Sequence, residues 1–414
     1  MKGKRLSKVQ RLPKARQLDR ISTLPRAIVE TILCLLPVEE AARTSILSRE
    51  WRYKWTTIPK LEFYWRTVFK RTTEEIDWKP ISRLEIAKSD KDTRCKLFYA
   101  IHQVLLLCQG PIIEFTLSMA ALAGHALFEI NQIIHHLSRN HTVKKLTLDF
   151  GYYGTRATRG LPLSIFSLHH LTDLYLRNCD INHKPIIGEF GSLTSLSIES
   201  YLGNISISKK SLLHLLSNCP SLKRLCLLIR EESFHGYEKP SIMELFKCLP
   251  VIEHLTIWAR IISMLVQASV PKEPPPLLIH LKYLCIEEVD FADDYGLTFL
   301  AVLIKCSPNL EKLKIVSDTK DHCDERESVK LREYSHVWLE HLNELEIKYF
   351  TNKKQEMEFV KFILAKSPNL KKATLQTIMI FKSEVMEMLK ILLSSPRASP
   401  VEIFVENLCQ YHYG

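Results

Sequence analysis

The six residues LTDLYL at positions 171–176 decide the fold, because apolar residues stand at the first, fourth and sixth positions. In an extended strand the fourth and sixth side chains share one face, while the residues between them point the other way. A single strand of this kind leaves its apolar face uncovered. The hexad therefore predicts a strand that is stable only when similar strands stack beside it.

The same hexad recurs ten times, with other apolar residues replacing some of the leucines. The fourth positions of the first and last copies, Phe115 and Ala373, are 258 residues apart, so the nine intervals average about 29 residues. That spacing is typical of leucine-rich repeats. The first, fourth and sixth residues of the copies are Ile112-Phe115-Leu117, Val143-Leu146-Leu148, Leu171-Leu174-Leu176, Leu193-Leu196-Ile198, Leu222-Leu225-Leu227, Ile252-Leu255-Ile257, Leu281-Leu284-Ile286, Leu310-Leu313-Ile315, Leu342-Leu345-Ile347 and Leu370-Ala373-Leu375.

Several segments between the hexads have the pattern of amphipathic helices. Apolar runs over 212–216, 300–304 and 359–364 each precede a proline by a few residues. A proline there stops a helix and directs the chain into the next strand. We therefore predict an α/β fold, a leucine-rich-repeat solenoid with strands on one side and helical returns on the other.

The segment 18–65 does not follow the repeat. Pro25 opens an apolar helical run that Pro37 ends, a second short helix follows, and a third carries Trp51 and Trp55. About 45 residues bury only a small core, so some of these apolar side chains must face a partner or the neighbouring domain. A second interpretation is that the three helices simply cap the repeat array.

Three motifs in this segment resemble a plant-type F-box: ISTLP at 21–25, ILCLLP at 32–37 and AARTSILSREWRYKW at 41–55. Arg26 stands where the family more often has an acidic or small polar residue, and Glu50 stands where it commonly has a basic one. These departures leave the resemblance intact. The segment is therefore identified as a small three-helix F-box domain.

The resemblance extends over nearly the whole chain. The segments LPLSIF at 161–166, SPNLKK at 367–372 and PRASP at 396–400 are similar to plant proteins that join an F-box, leucine-rich repeats and a C-terminal FBD module. The resemblance implies that the F-box binds the Skp adaptor and, through it, the cullin and RING subunits of an SCF-type ubiquitin ligase. The repeats would hold an unknown target protein for ubiquitination.

Together the pattern and the resemblance predict five regions. They are a basic disordered tail at 1–17, the F-box at 18–65, a helical connector at 66–108, leucine-rich repeats at 109–335 and FBD-like repeats at 336–410.

Candidate contact residues follow from these two interpretations. The resemblance implies an adaptor contact made by large apolar residues, namely Leu24, Pro25, Ile28, Ile32, Leu33, Leu36, Pro37, Trp51 and Trp55. The side chains between the buried leucines form the usual binding surface of a solenoid, and binding hot spots favour Trp, Tyr and Arg. The predicted target contact is Tyr175, Arg177, Arg224, His254, Trp258, Tyr283 and Lys312. An alternative is that Trp258 and Tyr283 pack beneath a loop such as 271–276.

The formal charge of +11 is concentrated at the N-terminus. Residues 1–20 hold eight Lys or Arg and one Asp, a net charge of +7. A nucleic-acid binder would use this tail, and a nuclear-import signal is a second possibility. We expect a solvated flank and no nucleic-acid partner.

Motifs of known enzymes are absent from the sequence. It lacks the H-E-x-x-H, G-x-S-x-G and phosphate-loop patterns, and it has only 12 glycines. The 11 cysteines include no C-x-x-C pair. A catalytic cysteine that forms a ubiquitin thioester would need an exposed, acidic thiol, whereas Cys219, Cys248 and Cys306 follow helical runs as small apolar residues. We expect no catalytic residue, no metal site and no cofactor.

Neither a membrane-spanning run nor a secretory signal is evident, so we expect a cytoplasmic or nuclear protein without a membrane partner. The predicted function is that of a non-catalytic substrate receptor in a ubiquitin ligase. The alternative is a repeat scaffold that acts outside any ligase complex.

Overall fold

A computed structural model of the 414-residue chain describes residues 21, 23–64, 83–119, 126–151, 160–181, 188–200, 207–230, 242–261, 277–291, 294–318, 337–377 and 382–407. The basic tail predicted at 1–17 and the loop at 271–276 lie outside these residues. One parallel sheet runs through the described part of the chain.

Within the described residues the sheet has twelve strands, and each pairs in parallel with the next one in chain order. The strands are β1 (Lys60–Tyr64), β2 (Glu114–Ser118), β3 (Lys145–Asp149), β4 (Asp173–Arg177), β5 (Ser195–Ser200), β6 (Arg224–Ile229), β7 (His254–Trp258), β8 (Tyr283–Val289), β9 (Lys312–Ser317), β10 (Glu344–Phe350), β11 (Lys372–Thr377) and β12 (Glu402–Asn407). Unbroken sequential order is what a solenoid requires, because every repeat contacts only its neighbours.

The ten hexads coincide with β2 to β11, which confirms the predicted solenoid. Their fourth and sixth side chains are at most 3% exposed. The register places equivalent positions side by side, as in the pairs Leu146–Leu174 and Leu148–Leu176. Replacing one of these leucines with alanine would lower the free energy of unfolding by about 2–5 kcal/mol, because a cavity would remain in the packed layer.

Two further strands escaped the sequence pattern. Ile58, Leu61 and Phe63 form an eleventh hexad, and Leu61 pairs with Phe115 of β2. At the other end Ile403 pairs with Ala373 of β11, but Pro400 occupies the first position of that hexad. The sheet therefore begins inside the segment identified as the F-box and ends close to the C-terminus.

Helices and short 3-10 helices connect the strands. They are α1 (Arg26–Leu33), α2 (Val38–Arg43), the 3-10 helices Thr44–Ile46 and Lys54–Thr57, α3 (Arg83–Leu107), α4 (Leu127–Asn140), the 3-10 helix Leu163–Ser167, α5 (Lys209–Ser217), α6 (Ile242–Lys247), α7 (Asp294–Cys306), α8 (Lys354–Lys366) and α9 (Lys382–Ser394). The three predicted returns are α5, α7 and α8, and a proline follows each. The third helical segment of the F-box is a turn followed by a single 3-10 helix.

A single continuous core joins the F-box to the repeats. It runs from Val29 in α1 to Val401 before β12 and contains the hexad side chains of the strands from β1 to β11. The buried faces of α4, α5 and α8 contribute to the same core, so these helices cover the leucine side of the sheet. The other side carries the third and fifth residues of each hexad and the residue that follows the hexad, and we call it the open face.

One buried carboxylate organises the C-terminal repeats. Glu356 of α8 is 2% exposed. Its oxygens accept hydrogen bonds from the hydroxyl and backbone N–H of Thr351 (2.9 and 2.8 Å), from the hydroxyl of Ser317 (2.9 Å) and from the backbone N–H of Lys353 (3.3 Å). These donors belong to the end of β9 and to the turn between β10 and α8. The carboxylate therefore joins two repeats and satisfies N–H groups that helix geometry leaves unpaired.

Replacing Glu356 with alanine is expected to lower the free energy of unfolding by about 2–4 kcal/mol, because buried donors lose their acceptor and a cavity forms. Denaturant unfolding followed by circular dichroism measures the change. The matched control is Glu358→Ala on the exposed face of the same helix, which is expected to change stability by less than about 0.5 kcal/mol. Equal losses in the two variants would contradict the role assigned to Glu356.

Candidate functional site

The F-box leaves many large apolar side chains uncovered. Leu35 is 81% exposed and Ile46 is 87% exposed. We call the whole set the outer apolar face, and it consists of Ile21, Ile28, Ile32, Leu35, Leu36, Ile46, Leu47 and Tyr53. Soluble monomers rarely expose so many large apolar groups in one short segment, so this face has the character of a protein-binding surface.

The nine residues predicted for the adaptor contact divide into two groups. Ile28, Ile32 and Leu36 are exposed and belong to the outer apolar face, Pro25 is exposed beside it, and Leu24 and Pro37 are half-buried. Leu33, Trp51 and Trp55 are 1, 5 and 6% exposed. Their prediction as contact residues is corrected here, because they belong to the buried core and present almost no exposed surface.

Five members of the outer apolar face escaped the sequence analysis: Ile21, Leu35, Ile46, Leu47 and Tyr53. Leu35 lies just beyond the end of α1, so helical periodicity does not predict its direction. Ile46 and Leu47 lie at the end of a 3-10 helix whose short length gives no periodic pattern. The sequence offered one indication of this exposure, namely the adjacent apolar pairs Leu35-Leu36 and Ile46-Leu47 outside the α-helices.

Polar contacts hold α1 against the 3-10 helix Lys54–Thr57. The hydroxyl of Thr57 donates a hydrogen bond to Glu30 Oε1 at 2.7 Å, and Arg26 Nε lies 2.8 Å from the same oxygen. These contacts, with the Thr57 hydroxyl contributing most, lower the pKa of the Glu30 carboxyl. The ammonium group of Lys54 lies 4.8 Å from the centre of the Trp51 ring. The scaffold beneath the outer apolar face is therefore fixed by specific contacts.

The F-box also joins the first repeat directly. The backbone N–H groups of Gln109 and Gly110 both donate to the carbonyl of Thr56, at 2.8 and 3.2 Å. A side chain at Gly110 would place its Cβ 2.8 Å from the Thr57 carbonyl oxygen, so only glycine permits this approach. Since β1 is part of the sheet, the outer apolar face has a fixed position relative to the repeats.

Opposite charges alternate along the flanks of the open face. Register places Lys60, Glu114, Lys145 and Asp173 side by side on β1 to β4. The Nζ atom of Lys145 lies 2.9 Å from Glu114 Oε1. On the C-terminal flank, Lys312 Nζ lies 3.0 Å from Glu344 and 3.5 Å from Glu346. Neighbouring strands thus neutralise each other across the sheet.

The alternation stops in the middle of the sheet. Among the third and fifth hexad residues of β5 to β8, the uncharged side chains that are not buried form what we call the central window. They are Ser195, Ser197, Cys226, His254, Thr256 and Tyr283. The guanidinium of Arg224 on β6 extends across β5 and lies 3.3 Å from Asp173 Oδ1 on β4. Among the described open-face residues, this ion pair is the last one on the N-terminal side of the window. A partner that covers the window therefore displaces fewer ion pairs than one bound to either flank.

Six of the seven predicted target contacts lie on the open face in or beside the central window. His254 and Tyr283 have ring centres 5.8 Å apart. The hydroxyl of Tyr175 donates to Glu199 at 2.7 Å, and Arg177 lies 3.7 Å from Asp149. Together with Arg224 and Lys312, these side chains are exposed or half-buried.

Trp258 differs from the other predicted target contacts. Its side chain is only 4% exposed, and residues 259–261 turn into a helix directly after β7. The prediction that Trp258 contacts a target is therefore corrected. Truncating it would open a core cavity at a cost of about 3–5 kcal/mol, so it is unsuitable for testing binding.

Burial holds several of the described cysteine thiols in their protonated form. Burial raises the pKa of Cys219 and of Cys285 to about 12, and that of Cys226 to about 11. A nucleophilic thiol needs a lowered pKa, which is the opposite shift. Among the described residues no group of three His, Cys, Asp or Glu side chains is placed to hold a metal ion.

A cavity of about 410 Å³ lies between the C-terminal ends of α3 and α4 and the residues that follow them. Its lining includes Leu105, Cys108, Asn140 and the imidazoles of His136 and His141. The backbone N–H of Ile112 donates to His141 Nδ1 at 3.3 Å, so this nitrogen must be unprotonated. Burial lowers the pKa of both histidines. The charge of His102 lowers the pKa of His136 further, and the charge of His136 does the same for His141.

These lowered pKa values predict a stability that depends on pH. The unfolded chain binds protons at His136 and His141 more readily than the folded chain does. The contribution of these two groups to the free energy of unfolding is therefore fully present above pH values of about 6.5 and is lost as the pH falls below that value. Replacing His141 with asparagine keeps an acceptor oxygen for Ile112 and removes the titrating ring. Thermal unfolding between pH 7.5 and 5.5 should show a weaker pH dependence in this variant. An unchanged slope would contradict the assignment.

None of the helices in the described part of the chain is long and apolar enough to cross a bilayer.

Taken together, the solenoid fold, the outer apolar face and the open face of the sheet define a leucine-rich-repeat protein with an N-terminal F-box. Three family models match the chain: the F-box domain at 21–63, the LRR repeats of FBD-associated F-box protein At5g56370 at 131–257, and FBD at 338–375. The three matches lie in this order along the chain.

Relatives from Arabidopsis thaliana extend over nearly the full length. The chain is 30% identical to F-box/FBD/LRR-repeat protein At1g13570, over 92% of this chain and 97% of that protein. It is 24% identical to putative F-box/FBD/LRR-repeat protein At5g52460, over 94% and 95% respectively. The chain therefore belongs to the F-box/FBD/LRR-repeat family.

A solved structure of the plant peptide hormone receptor RGFR1 in complex with RGF2 matches with a TM-score of 0.27 and 15% identity, over 72% of this chain and 40% of that chain. Nothing about function follows from a likeness of this size.

Proposed function

We propose that this protein is the substrate-recognition subunit of an SCF-type cullin-RING ubiquitin ligase. The observation that carries the proposal is the outer apolar face, a set of large exposed side chains on a module that is otherwise well packed. Membership of the F-box/FBD/LRR-repeat family supports a recognition role. In this proposal the F-box binds the Skp adaptor, which connects it to the cullin and RING subunits.

The adaptor contact is proposed for the outer apolar face together with Pro25, Leu24 and Pro37. Burying large apolar side chains is the main favourable contribution to such an interface, and residues near its centre carry most of the binding energy. Leu33, Trp51 and Trp55 act from beneath by holding the exposed side chains in place. Their truncation would unfold the F-box before it tested the contact.

The target contact is proposed for the centre of the open face. It comprises the central window with Tyr175, Arg177, Arg224 and Lys312 at its borders. Displacing surface ion pairs and their water opposes binding, so the uncharged window is the least costly part of the face to cover. His254 and Tyr283 provide the aromatic surface that binding hot spots favour.

The remaining properties of the chain support a receptor without chemistry of its own. The raised thiol pKa values described above disfavour a ubiquitin thioester on Cys219 or Cys285. On the open face of the twelve described strands, the third and fifth hexad residues and the residue after each hexad include eight Lys or Arg and ten Asp or Glu. This balance of charges disfavours nucleic acid as the ligand of the open face. We place the protein in the cytoplasm or the nucleus, where such ligases act.

Replacing Ile28, Leu35 and Ile46 with serine is expected to weaken binding to a purified Skp adaptor by at least about 100-fold, because hot-spot truncations cost more than 1 kcal/mol each. These side chains are exposed, so the fold should be retained. Co-purification and isothermal titration calorimetry measure the change.

The matched control changes three equally exposed apolar residues on α3 and α4, Tyr99, Leu106 and Phe128, to serine. It should bind the adaptor as the wild type does. Failure of the wild-type chain to bind any Skp homologue would refute the ligase proposal and favour the repeat scaffold without a ligase. Equal loss in both triple variants would place the contact elsewhere.

Replacing His254 and Tyr283 with alanine is expected to abolish target capture without loss of Skp binding, because these rings lie in the central window, far from the F-box in the strand order. The measurement compares proteins retained from plant extract, with the proteasome blocked, by wild-type and variant chains. The control is Tyr99→Ala with His135→Ala, the same residue types on exposed helix surfaces. A target retained equally by the window variant and the wild type would contradict this location.

A further inference from the structure

The two ends of the sheet differ in how they are covered. At the N-terminal end the F-box packs against β1 through α2, where Val38 and Ala41 are buried. At the C-terminal end β12 is the last strand, and no described residue pairs with its outer edge. The unpaired N–H and C=O groups of such an edge can accept another strand.

The apolar side chains on the leucine side of the sheet are not fully covered at β12. Ile403 and Val405 occupy the positions that are fully buried in every other strand, yet both are only half-buried. On the opposite side of the strand Phe404 is 41% exposed. A strand added to this edge would cover all three side chains.

The charged residues of β11 and β12 indicate which side chains such a strand should have. Register continues the alternation through Glu344, Lys372 and Glu402, so the next strand in the pattern is basic at this position. Glu402 forms no ion pair with any described residue, and the carboxylate of Glu406 accepts one hydrogen bond within the described residues, from the Gln376 amide at 2.8 Å. Two carboxylates, four residues apart, therefore flank Phe404 on an open edge.

A second copy of the chain does not meet this requirement. Antiparallel pairing of two β12 edges about Phe404 would place Glu402 of one copy opposite Glu406 of the other. Like charges directly opposite each other destabilise a strand pair. The edge therefore disfavours self-association and favours a basic partner.

We propose that the outer edge of β12 binds an extended peptide segment with the pattern basic-apolar-apolar-apolar-basic. The two basic side chains pair with Glu402 and Glu406, and the central apolar side chain contacts Phe404. The second and fourth residues complete the apolar layer beside Ile403 and Val405. Main-chain hydrogen bonds provide affinity, and the alternating side chains provide selectivity. Because the pattern is symmetric, it fits in either strand direction.

The test uses the full-length chain and a fluorescent peptide of sequence TKVYVKT, with binding measured by fluorescence anisotropy. Binding is expected, and it should weaken as salt is raised. The variant Glu402→Lys with Glu406→Lys should bind this peptide about 2- to 30-fold more weakly, as expected for two partly exposed ion pairs. The same variant should prefer the charge-reversed peptide TEVYVET.

Matched controls separate strand addition from general charge attraction. The variant Glu358→Lys with Glu387→Lys makes the same change of net charge on α8 and α9, and it should bind TKVYVKT as the wild type does. A peptide N-methylated at its three central residues keeps every charge and cannot pair as a strand, so it should not bind. Undiminished binding of that peptide, or equal weakening by both charge variants, would overturn the proposal.

The end of the chain provides a last test. If the full-length protein fails to bind TKVYVKT while a chain that ends at Asn407 binds it, residues 408–414 occupy the edge themselves, and the proposal for an external peptide is wrong. Failure of both chains to bind the peptide would also overturn it.

Discussion

The structure depends on the shared burial of two side chains in each repeat, the fourth and sixth residues of the hexad. A single repeat cannot bury this pair, since its neighbours on both sides provide the rest of the cover. Leu174 and Leu176 are buried because equivalent pairs in β3 and β5 lie against them, at about the 4.8 Å spacing of adjacent strands. This repeated contact stabilises the sheet and sets the order of its strands. It also places equivalent open-face residues side by side on neighbouring strands.

The same contact explains how the F-box is attached. Ile58, Leu61 and Phe63 lie within the F-box match and also form the first hexad of the sheet. The module is thus continuous with the repeats, and it covers the N-terminal edge that a solenoid would otherwise expose. Both interpretations offered by the sequence are therefore compatible, because the F-box caps the array with its inner side while its outer apolar face remains uncovered. For the proposed ligase subunit, this continuity fixes the adaptor contact relative to the target contact.

The repeats could be predicted from the sequence because their pattern is local and recurs ten times. Side-chain direction outside that pattern could not be predicted in the same way. Leu33 and Leu35 stand in one apolar run, but α1 ends between them, so the first is buried and the second is exposed. Trp258 occupies an outward position of its hexad, yet the chain turns into a helix immediately afterwards and the ring is covered. Such outcomes depend on where an element ends, which periodicity does not determine.

Tertiary context also decided the roles of charged residues. Nothing in the sequence marks Glu356 as different from Glu358, yet the first accepts hydrogen bonds from two repeats and the second faces solvent. The charges of the open face can be interpreted only once the strand register is known, because Glu114, Asp173 and Glu344 each pair with a lysine or arginine on another strand. Neutralised flanks gain little from a charged partner, because its ions would have to replace contacts that already exist. In the proposed target contact, selectivity would therefore come mainly from the shape and aromatic surface of the central window. In the proposed peptide contact at the sheet edge, the carboxylates of β12 would select by charge.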